Sequence, residues 1–150
     1  MPPFPLPPLA LPLPDLLATE TLGARIAGLL RPGDAVLLEG PLGAGKSALA
    51  RAVLRTLLAD PALPVPSPTF TLVQSYDAPL GPVAHFDLWR LDGPRAVLEL
   101  GWEEARDGVV LVEWPDRLGD LRPPDALSVV LAHAGRDART ATLHGWAGRL

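Results

Sequence analysis

The chain has 150 residues, of which 48% are hydrophobic and 20% are charged, and its formal net charge at pH 7 is −4. This length suits one domain with a modest core, and the composition is that of a globular rather than a disordered protein. The acidic balance argues against a free-standing electrostatic surface for nucleic acid, and the lack of cysteine excludes disulfides, thiolate metal sites and cysteine nucleophiles.

The N-terminal segment is rich in proline, which supplies seven of the first fourteen residues. Prolines in this number prevent the continuous helix that a secretory signal or a membrane span needs. No run of about 18 apolar residues, the length of a membrane-spanning helix, occurs elsewhere. We therefore expect residues 1–14 to form an extended arm, residues 15–150 to form a single domain, and the protein to be soluble and cytoplasmic, with no membrane partner.

A helix, a strand and a second helix are predicted after the arm. Thr19 is a suitable N-cap for the first helix, which the Pro32-Gly33 dipeptide ends. Residues 35–39 are almost entirely apolar and predict a short buried strand. Residues 47–58 have the composition of an amphipathic helix.

The segment between this strand and the second helix matches the pattern G-x-x-x-x-G-K-[ST] at every fixed position. Its lysine, Lys46, is the only lysine in the chain. A strand, a glycine-rich loop and a helix in this order point backbone N–H groups and the positive end of the helix at a phosphate. The segment therefore predicts a magnesium-dependent nucleoside triphosphate site, with Lys46 on the phosphates and the Ser47 hydroxyl on the metal. Its residues are Gly40, Pro41, Leu42, Gly43, Ala44, Gly45, Lys46 and Ser47.

The remaining elements predict the fold class. Prolines make residues 60–68 a loop, and β-rich residues on either side of a turn at 77–82 predict a hairpin. Helices that alternate with buried strands predict an α/β sandwich of the P-loop NTPase type, with a central mixed, mostly parallel sheet flanked by helices. The later predicted elements are strands at 69–76 and 83–87, a helix at 95–100, and strands at 109–113, 126–132 and 139–143.

Two carboxylates end predicted strands and are candidates for the acid that such sites place beside the loop. Glu113 ends the apolar run at 109–112, and Asp87 ends the strand before it. Either could hold the metal or act on the attacking water, and the alternative for each is a strand-end carboxylate that faces solvent. Thr69 or Thr71 could present a hydroxyl to the metal or the γ-phosphate, as switch segments do. His85 is expected to be a hydrogen-bonded core residue without a chemical role.

The base of the nucleotide is expected to be adenine. The usual guanine-reading segment, Asn-Lys-x-Asp, needs an asparagine, and the chain has none. Residues 116–119 fit the pattern D-x-x-G, but a pattern with two fixed positions arises easily by chance. The sequence therefore predicts ATP and Mg²⁺ as cofactors.

With these segments together, the chain resembles the TsaE (YjeE) family, small bacterial ATPases that are needed to make threonylcarbamoyladenosine in tRNA. The resemblance runs from about residue 13 to residue 139. The phosphate loop alone is typical of a superfamily, whereas the other shared segments are specific to this family. These segments are S-P-T-F-T-L-V at 67–73, H-F-D-L-W-R-L at 85–91 and L-V-E-W-P at 111–115.

The resemblance implies a role for each matching residue. Residues 42–47 would hold ATP, Ser47 and Glu113 would bind magnesium, Asp87 would be essential nearby, the segment at Thr69 would act as a switch, and Arg136 would reach the nucleotide. Catalysis would then depend on Lys46, Asp87 and Glu113.

The resemblance also implies the biological setting. The chain would be a weak magnesium-dependent ATPase that docks on the TsaD and TsaB proteins, and its ATP hydrolysis would reset that complex between rounds of tRNA modification. Contact with tRNA would be indirect, through the complex. Two alternatives remain open, a free-standing P-loop small-molecule kinase and a nucleotide-gated binding module with negligible turnover.

Overall fold

The computed structural model describes residues 8–146 and 148–149 of the chain. In chain order the elements are β1 (Leu9–Leu13), α1 (Leu16–Leu29), β2 (Ala35–Glu39), α2 (Lys46–Leu57), β3 (Val73–Ala78), β4 (Gly81–Asp87), α3 (Pro94–Leu98), α4 (Trp102–Ala105), β5 (Val109–Glu113), a 3₁₀ segment (Pro115–Leu121), β6 (Leu127–His133) and β7 (Arg139–His144).

The strands of this described part form one sheet in the order β1-β7-β6-β2-β5-β4-β3. The four neighbours β6, β2, β5 and β4 are parallel, and β2 lies between β6 and β5. Antiparallel strands complete both sides, with β7 and β1 on one side and β3 on the other. The predicted α/β class with a central mixed sheet flanked by helices is confirmed.

The apolar runs of the central strands follow from burial on both faces of the sheet. In β2, Val36 and Leu38 pack into the core under α1 and α2, whereas Leu37 packs into a second core with residues from α3 and α4. The strand β5 divides its side chains between the two cores in the same alternating way. Because neither face meets water, the run before Glu113 carries no polar residue.

The helices α1 and α2 pack closely against each other. Gly23 permits this approach, because a Cβ atom at that position would collide with the Cβ atom of Ala52. The two helices contain 14 and 12 residues. In the described ranges, no helix combines the length and the apolar character that crossing a membrane requires.

The N-terminal segment differs in part from the predicted extended arm. Residues 9–13 are extended, but they pair with β7 along its outer edge, from Leu9 opposite Leu143 to Leu13 opposite Arg139. Pro12 is tolerated there because an edge strand needs hydrogen bonds on one side only. The remainder of the predicted arm, residues 1–7, lies outside the described residues.

Two predicted boundaries were wrong. The helix α1 begins one turn earlier than predicted, because Asp15 rather than Thr19 is its N-cap, and Asp15 Oδ1 accepts a hydrogen bond from Ala18 N at 2.9 Å. The strand predicted from residue 69 begins at Val73, because Leu72 N donates to Pro68 O at 2.6 Å and closes a turn over the residues between them.

Candidate nucleotide-binding site

The site lies where the carboxyl ends of three parallel strands meet. The loop of residues 40–45 leaves β2 and enters α2 at Lys46. Within the sheet, Glu113 of β5 lies opposite Leu38 of β2 on one side and opposite Asp87 of β4 on the other. The two predicted carboxylates and the glycine-rich loop therefore share one edge of the sheet.

The glycines of the loop have conformations that other residues adopt at a cost. Gly43 and Gly45 have φ angles of 78° and 103°, in the left-handed region that favours glycine. At Gly40 a Cβ atom would collide with the carbonyl oxygen of Leu131. Since α2 starts directly after Gly45, its first N–H groups and the positive end of its dipole lie at the loop. This geometry could hold a phosphate.

Lys46 is buried at the base of the loop. Its Nζ donates to the carbonyl oxygens of Gly40 at 2.6 Å and Pro41 at 3.0 Å, and it lies 4.1 Å from the centroid of the Trp114 ring. Burial lowers the pKa of Lys46, and the charges of Glu113 and Asp87 oppose that shift. Because the ammonium group already donates to these two carbonyl oxygens, a bound phosphate would replace them as its hydrogen-bond acceptor.

Glu113 connects the loop helix to the centre of the sheet. The carboxylate is buried, its Oε1 accepts a hydrogen bond from Ser47 Oγ at 3.0 Å, and its Oε2 lies 2.7 Å from His85 Nε2. A hydroxyl and a carboxylate side by side are the hard oxygen donors that Mg²⁺ prefers. The two residues that the family resemblance implies as metal ligands thus lie together, and their chemistry fits that ion.

Asp87 anchors the segment that was predicted to act as a switch. Its buried carboxylate accepts hydrogen bonds from Thr69 Oγ1 at 3.1 Å and from Trp89 N at 3.1 Å. Thr69 and Ser67 line the cleft, whereas the Thr71 hydroxyl is exposed and accepts a hydrogen bond from Gln74. Because Asp87 and Glu113 are both buried, the alternative of solvent-facing carboxylates was wrong.

His85 is the hydrogen-bonded core residue that the sequence predicted, but its contact with Glu113 and the placement of two further residues at this site were not predicted. His85 contacts Glu113, Trp114 lies over Lys46, and Arg139 Nη2 donates to Gly43 O at 3.1 Å. The alternation of β4 could have shown that His85 and Asp87 share a face. Arg136, which was expected at the nucleotide, is exposed in the turn between β6 and β7 and is not among the cleft-lining residues of the described chain.

These positions give opposite predictions for the two arginines. Arg139→Ala is expected to weaken ATP binding about tenfold, because it removes a cation and a charge-assisted hydrogen bond that braces the loop. Arg136→Ala is expected to change the affinity by less than about twofold, because its exposed charge is screened. Isothermal titration calorimetry with MgATP measures both constants. A larger loss of ATP affinity for Arg136→Ala than for Arg139→Ala would mean that Arg136 contacts the nucleotide, as the family resemblance implies.

Comparison with known proteins gives one consistent family. The profile of the family described as "Threonylcarbamoyl adenosine biosynthesis protein TsaE" matches residues 13–141. Three relatives carry the name "tRNA threonylcarbamoyladenosine biosynthesis protein TsaE". The protein of Rickettsia conorii is 36% identical over 83% of this chain and 71% of its own length. That of Nostoc sp. is 36% identical over 87% and 82%, and that of Bacillus subtilis is 33% identical over 83% and 77%.

A solved structure has the same architecture. The crystal structure of YdiB from Bacillus subtilis superposes with a TM-score of 0.75 at 29% sequence identity. The superposition covers 93% of this chain and 86% of that one. The likeness therefore extends over nearly the whole sheet and its helices.

Proposed function

The chain belongs to the TsaE family of tRNA threonylcarbamoyladenosine biosynthesis proteins, and on that premise we propose that it is the ATP-binding and ATP-hydrolysing component of this modification pathway. Its ATPase activity would be weak, magnesium-dependent and enhanced by partner proteins. ATP hydrolysis would reset the TsaD–TsaB machinery between rounds of modification.

One observation carries the proposal. Ser47 Oγ and Glu113 Oε1 lie 3.0 Å apart directly beside a glycine-rich loop whose lysine is buried. Magnesium, when bound there, would neutralise charge on the β- and γ-phosphates. Lys46 would contribute a second positive charge, and the N–H groups at the start of α2 would orient the phosphates.

Asp87 and Thr69 would couple the site to the segment around them. The hydrogen bond from Thr69 Oγ1 to Asp87 holds this segment at the cleft. A buried carboxylate at this position could orient the attacking water, while Thr69 presents its hydroxyl to the phosphate side. Movement of the 67–69 segment would then break or remake a contact that involves a site carboxylate.

The rim of the cleft supports the docking of protein partners. Leu42 in the loop is 84% exposed, Phe70 beside Thr69 is 83% exposed, and Trp89 after Asp87 is half exposed. Large apolar side chains exposed beside cleft-lining residues are typical of an interaction surface. We propose that TsaD and TsaB cover this rim, and that the acidic chain meets tRNA only through that complex.

The kinase alternative gains no support from the arginines that could serve a lid. Arg122 donates to Glu39 at 3.2 Å and to Ser128 at 3.0 Å, and Arg117 lies 3.5 Å from Asp116. Neither arginine is among the cleft-lining residues of the described ranges. A kinase would need such groups on the transferred phosphoryl.

Phosphate release tests the proposal directly. We expect little release of phosphate from ATP by the isolated chain and much faster release when the TsaD–TsaB pair is present. Release that needs an added small-molecule acceptor would support a kinase instead. Binding of ATP with no turnover in either condition would leave only a nucleotide-gated binding module.

A further inference from the structure

His85 is a buried histidine at the site with no role in the function proposed above. It lies on β4 opposite Leu111 of β5, and it is 1% exposed. Its Nε2 lies 2.7 Å from Glu113 Oε2. Its Nδ1 is buried and has no hydrogen-bond partner among the residues that the structure describes. The contact with Glu113 is thus the hydrogen bond that fixes the orientation of the ring.

The direction of this hydrogen bond follows from the role proposed for Glu113. Glu113 Oε1 accepts a hydrogen bond from the Ser47 hydroxyl. A carboxylate that serves Mg²⁺ has no proton to donate, so in that role of Glu113 the ring nitrogen is the donor to Oε2. His85 therefore holds one carboxylate oxygen while the other faces the Ser47 hydroxyl.

Glu113 has a competing partner nearby. Lys46 lines the same cleft as Glu113 and carries the opposite charge. Instead, Lys46 donates to loop carbonyl oxygens, and Glu113 is held between Ser47 and His85. In a direct ion pair between Lys46 and Glu113, the ammonium group would not be free to bind phosphate and the carboxylate would not be free to bind the metal.

We propose that His85 is a positioning residue for the magnesium site, whose Nε2–H group holds the Glu113 carboxylate toward Ser47 and away from Lys46. This inference rests on the proposed function, because it assumes that Glu113 serves Mg²⁺. Groups that orient metal ligands through a hydrogen bond typically change metal affinity or activity about 10- to 100-fold when they are removed. The effect should therefore appear in how strongly magnesium enhances nucleotide binding.

The experiment compares ATP affinity with Mg²⁺ and with EDTA, by calorimetry on the full chain. The ratio of the two dissociation constants measures the coupling between metal and nucleotide. For His85→Leu we expect this ratio to fall about tenfold or more, with metal-free ATP affinity unchanged. For His85→Gln we expect the ratio to be largely retained, because its amide nitrogen can donate at the position of Nε2. His85→Asn is one methylene shorter and should behave like His85→Leu.

Phe86→Leu is the matched control for a role in packing alone. Phe86 is the next residue on β4 and is fully buried, but it packs into the core on the opposite face of the sheet. The Phe86→Leu variant should have a lower thermal unfolding midpoint, and its ratio of ATP dissociation constants with EDTA and with Mg²⁺ should be unchanged. Unfolding midpoints of all variants identify any that fail to fold.

Three results would overturn the inference. A wild-type ratio near one would overturn the magnesium site itself, and the proposed function with it. A normal wild-type ratio that His85→Leu leaves unchanged would show that His85 only fills the core. If His85→Gln loses the coupling as fully as His85→Leu while Phe86→Leu keeps it, the hydrogen bond is not the cause.

Discussion

Glu113→Gln is expected to retain much of the nucleotide binding and to reduce ATP hydrolysis about 10²-fold or more, in line with the usual loss of a positioned charged group. Glutamine has nearly the same size, and its oxygen can still accept a hydrogen bond from the Ser47 hydroxyl. It lacks the negative charge that would hold magnesium, and its amide group would face the donating nitrogen of His85. Phosphate release in the presence of the TsaD–TsaB pair measures the effect.

Two further variants separate the role of Glu113 from that of any strand-end acid. Glu39→Gln is the matched control, because Glu39 ends the neighbouring strand β2 but pairs with Arg122 at the surface, and it should hydrolyse ATP at the wild-type rate. Asp87→Asn should resemble Glu113→Gln, because Asp87 is buried and holds Thr69. A normal rate for Glu113→Gln would mean that the metal assignment is wrong, and Asp87 would become the leading candidate.

Lys46→Ala is expected to lower both ATP affinity, by about tenfold or more, and turnover, because it removes the one lysine that can reach the phosphates. Lys46→Arg should not restore either quantity. The compact ammonium group contacts two carbonyl oxygens and lies 4.1 Å from the centroid of the Trp114 ring, and a wide planar guanidinium does not reproduce a point charge at that position. Calorimetry with MgATP and phosphate release in the complex give the two quantities separately.

The stability of the lysine variants must be measured beside their binding. Lys46 lines the same cleft as the buried carboxylates of Asp87 and Glu113, so its removal leaves their charges less well compensated. Thermal unfolding shows whether a loss of affinity reflects the missing phosphate contact or a destabilised site. Wild-type affinity and turnover in folded Lys46→Ala would contradict the assignment of the loop as an ATP site.

The sequence could predict the centre of the candidate site, because its residues lie in short continuous segments with recognisable patterns. The glycine loop is one continuous segment, and β5 is an uninterrupted apolar run that ends in a carboxylate. Since parallel strands align their carboxyl ends, Glu113 had to lie near the loop once its strand was recognised. The structure adds that both oxygens of this carboxylate have a hydrogen-bond partner, Ser47 at Oε1 and His85 at Oε2.

The remaining features depend on contacts between distant parts of the chain. Arg139 rather than Arg136 reaches the loop because β7 begins at Arg139 and pairs with the end of β6 at His133. That register is set by the sheet, and no local pattern near residue 136 reveals it. The strand β1 was not predicted for the same reason, because its partner β7 lies more than a hundred residues away and its prolines argue against a strand.

The position of β1 also limits what can be added to the sheet. Among the residues that the structure describes it is the outermost strand, and the edge that does not pair with β7 could accept a further extended chain. Pro12 lies within this strand, and Pro8 and Pro14 flank it, so one position of β1 and the residue on each side of it lack the N–H group that a further strand would need. These prolines, which led to the prediction of an extended arm, thus also make this edge a poor partner for edge-to-edge aggregation.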